Sequence, residues 1–430
     1  MRCAPRKQKL KNVCCLLLFS ATTGSGFAGP LTLEDALASA ESAHPDMLLA
    51  QADRESALAE WEIASSRQDA SIKFEGILRS GRPSFGNGNY ADDNSVRLTA
   101  RKTLFDFGRS SNAELAAQYE LNARDAYLTT MRNNRRLEIM TRYFDVLLAD
   151  MSNTVESELT SVYYTTFQQG KDRLELGQIS IVDLAELESK YRDTVEKRSA
   201  SAQRQRITRL LLANAMNRPG ILPVDLEDPK LPGNQRTLPD YESLLPIMLD
   251  NNPRLRAQRE MLAASQKRIE SLRAENGPVL DAEVQAADYS RIAITRDNVS
   301  AGLILSWPLY QGNRTKSLVA LEMAQFNKLQ AATEKLKLEL TQAFLESYLD
   351  ITQLQSAARN AVSTYVDYRD LQLDRSRGLY ELELKSNLGT SMAGTAEARM
   401  RARQVEYQLA LSFARLEALM GMPLSQTEPK

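Results

Sequence analysis

Residues 96–103 read VRLTARKT, with Val96, Leu98 and Ala100 alternating against Arg97, Thr99, Arg101 and Thr103. Period two with one apolar and one charged face predicts a β-strand lying between two different media. Residues 71–79 repeat the pattern, with Ile72, Phe74 and Leu78 opposite Ser71, Lys73, Glu75 and Arg79. The loop PSFGNGNYADDN separates the two segments, which predicts a hairpin over about 71–103. A second hairpin is expected at about 279–307. There Leu280, Ala282, Val284 and Ala286 oppose Asp281, Glu283 and Gln285. Beyond the loop SRIAITRDN, Val299, Ala301, Leu303, Leu305 and Trp307 form one apolar face.

Outward from each hairpin the chain is helical. From about 109 to 168 no proline or glycine intervenes, and Leu137, Met140, Phe144, Leu147, Met151 and Val155 recur at three- and four-residue steps. That spacing is a coiled-coil-like seam. A second such rod is predicted at about 314–375, carrying Leu340, Phe344, Tyr348, Ile351 and Leu354. About 60 residues at ~1.5 Å each gives a rod of ~90 Å, against a mean helix of about 11–12 residues. Shorter helices are expected before each hairpin (to about Gln68, and about Asp240 to Glu275). Others return from the far turns, at about 181–217 and 392–420. Stacked end to end, a short first and a short last helix would make one antiparallel partner for the rod.

The order is duplicated. LASAESAHPDMLLAQ (37–51) parallels LPIMLDNNPRLRAQR (245–259), and LFDFGR (104–109) parallels LYQGNR (309–314). YFDV (143–146) parallels YLDI (348–351), and MNRP (216–219) parallels MGMP (420–423). Four matches at one nearly constant offset predict two structural units, 29–219 and 238–423, with a tail at 424–430. Between them, 220–237 lies in a stretch whose prolines forbid a continuing helix, so it reads as a linker.

The first 28 residues hold Arg2, Arg6, Lys7, Lys9 and Lys11, no acid, and the apolar run Val13 to Phe19. Gly26 and Ala28 precede a plausible cut. This is the pattern of a removable export signal, too short to span a bilayer. It contains all three cysteines, so the mature chain is expected to have no disulfide and no thiolate site. Without the leader, 49 basic residues stand against 55 acidic, which gives no reason to expect nucleic acid as a partner. The single histidine, His44, directly precedes Pro45 and is expected at a turn. No phosphate loop, HExxH or Cys/His cluster occurs. We therefore expect neither an enzyme nor a cofactor or metal site.

A lone hairpin is marginal in water, and lipid tolerates only helices and closed barrels. Strands of about nine residues, apolar outside and charged inside, match outer-membrane barrels, but four strands per chain are too few. Several chains must contribute. The expected fold is thus mainly α with a small transmembrane β part, its long antiparallel helices duplicated and two hairpins per chain entering a shared barrel.

The duplicated order, the NP-type helix start, LFDFGR, SWPLYQGNR and GQISIVDLAELE together resemble the TolC family of outer-membrane efflux and type I secretion channels, across nearly all of the mature chain. The resemblance implies a homotrimer with a twelve-stranded barrel in outer-membrane lipid of a Gram-negative bacterium. An α-barrel would continue through the periplasm, with the linker in an equatorial belt. It further implies a passive exit duct, energised by an inner-membrane transporter through a periplasmic adaptor. Within that frame Asp183 and Glu186 are candidate gate acids, and Gly177, Ile179 and Ser180 candidate adaptor contacts. Lys73, Glu75, Arg79, Arg97, Arg101, Asp281 and Glu283 would line the lumen. Ile72, Phe74, Leu78, Val96, Leu98, Val284, Leu303, Leu305 and Trp307 would face lipid. The second tip, SNLGTSMAGTAE, has no matching acids. The competing reading is a pore-free periplasmic coiled-coil scaffold. The cargo, whether drug, metal ion or protein, has no signature in the sequence.

Overall fold

The computed structural model describes residues 30–41, 44–82, 89–291, 296–382 and 387–426. The leader at 1–28, the centres of both hairpin loops, most of the second tip and the last four residues lie outside them.

The elements in chain order are α1 (Leu33–Ala38), α2 (Pro45–Ser65), β1 (Ser71–Ile77), β2 (Ser80–Gly81), β3 (Ala91–Asp92) and β4 (Ser95–Phe105). The first rod α3 (Arg109–Glu175) and α4 (Ile181–Ala215) follow, then α5 (Tyr241–Asn251), α6 (Pro253–Ala274), β5 (Val279–Tyr289) and β6 (Val299–Ser306). The second rod is α7 (Arg314–Gln353) joined to α8 (Arg359–Glu381), and α9 (Leu388–Met420) returns from it.

The first rod is longer than its glycine-free run. Its 67 residues make ~100 Å of helix, and it continues through Gly170. The bare Cα there lets α4 approach. A Cβ at 170 would stand 2.6 Å from a Leu187 methyl and 3.3 Å from one of Leu184. The helix stops instead at Gly177, whose positive φ permits the left-handed C-terminal turn. Two bonds close it: Gly177 N–H to Leu174 O and Gln178 N–H to Arg173 O. The second rod reaches Glu381, with a single π turn at Leu354–Ala358 inside it.

The helices before the hairpins are broken where an unbroken one was expected. Prolines 45 and 253 each begin a new helix, a position where the missing N–H costs nothing. His44 caps α2, its Nδ1 accepting from the Asp46 N–H at 3.2 Å. Burial, then the charge of Arg135, hold its pKa below the ordinary value, which keeps that acceptor nitrogen neutral. Asn252 splices α6 to α9. Its side-chain oxygen accepts from the N–H groups of Arg254 (2.9 Å) and Leu255 (3.1 Å), while its amide donates to Leu419 O at 2.7 Å. Asn252 is buried, so Asn252→Ala leaves both ends of the splice unsatisfied. It is expected to cost about 2–3 kcal/mol, read as a lowered denaturant midpoint of the helical signal.

Rod α3 packs against α2 and α4 on one side and against α6 and α9 on the other, while α6 and α9 also pack on α7 and α8. The chain is thus a wall of four helical columns. One core cluster, around Ile139, Tyr143, Phe144 and Leu212, includes Tyr407 of α9. A second gathers Leu340, Phe344 and Ile351 with Phe413 and Leu416, and Leu424 of the expected tail is buried in it. The linker wraps across this level. Leu226 bridges Leu31, Tyr407 donates to Asp228 at 2.7 Å, and Asn234 donates to Glu406 at 2.8 Å.

Four of the strands form one sheet in the order β1-β4-β5-β6, all antiparallel, and β2 and β3 pair as a separate two-stranded ribbon. The two hairpins are therefore joined by β4 against β5, a pairing across about half the chain. β1 ends at Ile77, two residues before the expected end, and β4 extends two residues beyond it to Phe105.

Candidate functional site

Register decides which side chains share a face of the sheet. Phe74 pairs with Leu98, Leu98 with Ala286, and Ala286 with Val299. The next row toward the helices is Ile72, Ala100, Val284 and Ala301. Directly paired residues project to the same side, so these rows form one apolar surface. Val96, Leu303 and Leu305 lie on it as well, and Trp307 follows β6 at its helical end. That surface is uncovered: Ile72 is 73%, Phe74 71% and Leu303 67% exposed. Leu78 is exposed too, but beyond the end of β1.

The opposite face carries Lys73 beside Thr99, Glu75 beside Arg97, and Arg101 beside Glu283. Thr103 stands beside Asp281 and donates to it at 2.8 Å. Arg101 Nε donates to Glu283 at 2.9 Å, and Lys73 lies 3.5 Å from Glu75. Glu283 is only 20% exposed. The burial order is thus inverted relative to a soluble sheet, with charges interlocked on one side and large apolar groups bare on the other.

Six of the seven expected lumen residues share this polar face. The seventh, Arg79, lies past β1 and grips Asp93, which also receives Arg296 at 3.1 Å. This cluster ties the two hairpins together at the end of the sheet away from the helices. Local alternation could not reveal it, because Asp93 and Arg296 sit in separate loops. Arg291 adds to it by donating to Gly81 O and Ala91 O, both at 3.1 Å.

At the far end of α3, the turn to α4 contains Gly177, Ile179 and Ser180, with Leu176, Ile181 and Val182 exposed around them. Ser180 and Asp183 form a capping box. The Asp183 carboxylate accepts from Ser180 N–H (2.9 Å) and Oγ (2.8 Å), and Asp183 N–H donates back to Ser180 Oγ at 3.2 Å. The backbone bond first, and the hydroxyl second, hold that carboxyl below the usual carboxylate range. Glu186 is engaged with Lys190 one turn on and raises the lysine pKa by that bond. Of the second tip, residues 383–386 lie outside the described residues.

Among the described residues no group of His, Cys, Asp or Glu is placed to hold a metal, and no helix is long and apolar enough to cross a membrane. The latter says nothing of strands.

Among curated protein sequences none matches the chain significantly. Solved structures do. The outer membrane protein VceC from Vibrio cholerae is 15% identical, with a TM-score of 0.73 over 91% of this chain and 96% of its own. The CmeC outer membrane channel of Campylobacter jejuni is 12% identical, at 0.73 over 90% and 85%. The open state of the Neisseria gonorrhoeae MtrE outer membrane channel is 16% identical, at 0.71 over 91% and 89%. At such identities these relatives establish the fold, a TolC-like assembly of long helices with a small β part. The model of the family described as "Outer membrane efflux protein" matches residues 36–218 and 244–422. It describes channels of the outer membrane rather than enzymes, and its two segments take in the rods, the sheet and the first tip. The chain belongs to the outer membrane efflux protein family.

Proposed function

We propose that three copies of this chain, exported and freed of residues 1–28, close their sheets into one twelve-stranded barrel in the outer membrane. The helical columns continue the barrel as a periplasmic tunnel. The tunnel is a passive exit duct, whose transport is driven by an inner-membrane transporter coupled through an adaptor. The observation that carries this reading is the inverted sheet. Its bare apolar face has a natural medium only in lipid. Among the described residues its outer strands, β1 and β6, have no partner along their free edges. Unpaired backbone groups cost several kcal/mol each in hydrocarbon, so β6 of one copy pairing with β1 of the next removes the largest penalty. Four strands and four helical columns per chain keep both walls in step.

In this duct Ile72, Phe74, Leu78, Val96, Leu98, Val284, Leu303, Leu305 and Trp307 face lipid. Lys73, Glu75, Arg97, Arg101, Asp281 and Glu283 line a hydrated lumen, with Arg79 at the outer mouth. Gly177, Ile179 and Ser180 meet the adaptor. A scaffold without a pore leaves the apolar face in water.

The test is conductance. Purified protein added to a planar bilayer should produce stable, voltage-tolerant steps, and absence of any step from a properly inserted sample contradicts the reading. Asp183 from three copies makes a ring of like charge at the tip, which favours cations. Asp183→Asn should lower the cation-to-anion permeability ratio severalfold, measured as a shift in reversal potential under a salt gradient. Removing the ion pair as a whole, with Glu186→Gln and Lys190→Gln together, should change it little, because the two charges offset one another. The folded-state pKa of Asp183 is depressed. Its ionised cap is therefore fully present above the unfolded value near ~4 and lost only as pH falls through the lower folded value. Cation preference should accordingly persist down to about pH 4 and fade below it.

A further inference from the structure

The outward face of the sheet is interrupted near its helical end by a single cation. Lys102 pairs with Ala282, and Ala282 with Leu303, so it projects on the same side as Leu98, Val284 and Ile72. It is exposed and takes part in no ion pair recorded among the described residues. Its paired neighbour in β5 is only a methyl group, which leaves the ammonium free to move. The apolar surface does not end there. Phe105, three residues further along β4 and about 10 Å on, is 55% exposed, and Trp307 and Tyr310 are 60% and 90% exposed beyond it. A water boundary at Lys102 would strand those rings in solvent. An aromatic girdle marks the interface in outer-membrane barrels, which puts the boundary at Phe105, Trp307 and Tyr310 and Lys102 just inside it.

A lysine so placed lays its methylene stem along apolar surface and extends its ammonium to the headgroup level. We infer that Lys102 binds the phosphate of an anionic glycerophospholipid in the periplasmic leaflet. It forms one headgroup site per subunit, with Phe105 and Trp307 further toward the helical end. This rests on the membrane reading above. A sheet facing water has no use for a cation amid its apolar rows, whereas a sheet facing lipid gains from one at this depth and at no other. The remaining acid on the same face, Asp288, pairs with Val96 at the opposite end, where the loops emerge. Among the described residues no carboxylate on that face competes for Lys102.

The test compares full-length wild type with Lys102→Gln and Lys102→Arg in vesicles of phosphatidylethanolamine containing either phosphatidylglycerol or phosphatidylcholine. Lipid retained by the extracted protein is then counted by native mass spectrometry. Wild type and Lys102→Arg should retain phosphatidylglycerol over phosphatidylcholine. Lys102→Gln should weaken that preference about fivefold per subunit, the effect of one cation near an anionic surface. Lys328→Gln, an exposed lysine more than a turn down α7, should behave as wild type. Equal preference in Lys102→Gln, or equal loss in Lys328→Gln, overturns the site while leaving the barrel intact. Failure of wild type to enter either vesicle overturns the membrane reading itself.

Discussion

Val284→Arg is expected to abolish stable insertion, while Gln285→Arg, its neighbour in the chain, is expected to insert normally. Val284 sits near the middle of β5 on the bare apolar face, flanked by Ala100 and Ala301. Arginine at the midplane of a barrel's lipid face costs about 2–4 kcal/mol. Three copies in one cylinder bring the total to roughly 6–12 kcal/mol, comparable with the whole folding stability of a typical domain. Gln285 points the other way, beside Thr99 and Ser300, where a guanidinium stays hydrated. The measurement is the fraction of each variant in the urea-resistant membrane pellet. Equal recovery of the two variants would mean that the two faces of the sheet meet the same medium.

Phe144→Ala should be the most damaging single truncation in the helical wall, lowering stability by about 3–5 kcal/mol. The Phe144 ring is fully buried and stacks on Tyr407 with centroids 4.5 Å apart and planes 5° from parallel. It therefore holds α3 against α9 at the level where the linker crosses. Tyr407→Phe separates packing from polarity. It keeps the stack but removes the bond to Asp228, whose carboxylate retains Arg403 at 2.7 Å. That loss should be only about 1–1.5 kcal/mol. Denaturant titration of the helical signal gives both numbers, and a Phe144→Ala midpoint equal to that of wild type would contradict the packing account.

What the sequence made legible was local. Strand faces follow from alternation over eight residues, so Leu98 against Arg97 needed no tertiary information. The rods follow from apolar spacing over many turns. What escaped depended on contacts distant in the chain. Nothing near Val96 announces that it will pair with Asp288, and β4 joins β5 only because the sheet needs a continuous ladder. Glycine misled in one place: Gly170 reads as a turn, yet its missing side chain is what lets Leu187 approach. Proline misled in the opposite sense, since the apolar spacing of the short helices runs on through Pro45 and Pro253 while the backbone cannot. At the first tip the residues of GQISIVD were legible, and the Ser-x-x-Asp spacing of Ser180 and Asp183 is that of a capping box. That Glu186 spends its charge on Lys190 follows from helical spacing. The tie of Arg79 to Asp93 does not.

The mass of the detergent-extracted particle tests most directly whether the bare faces of several subunits share one lipid-embedded cylinder. Light scattering corrected for detergent should return three chains, stable without heating and recovered only from membranes. A monodisperse single chain that stays in solution after all detergent is removed would contradict the account.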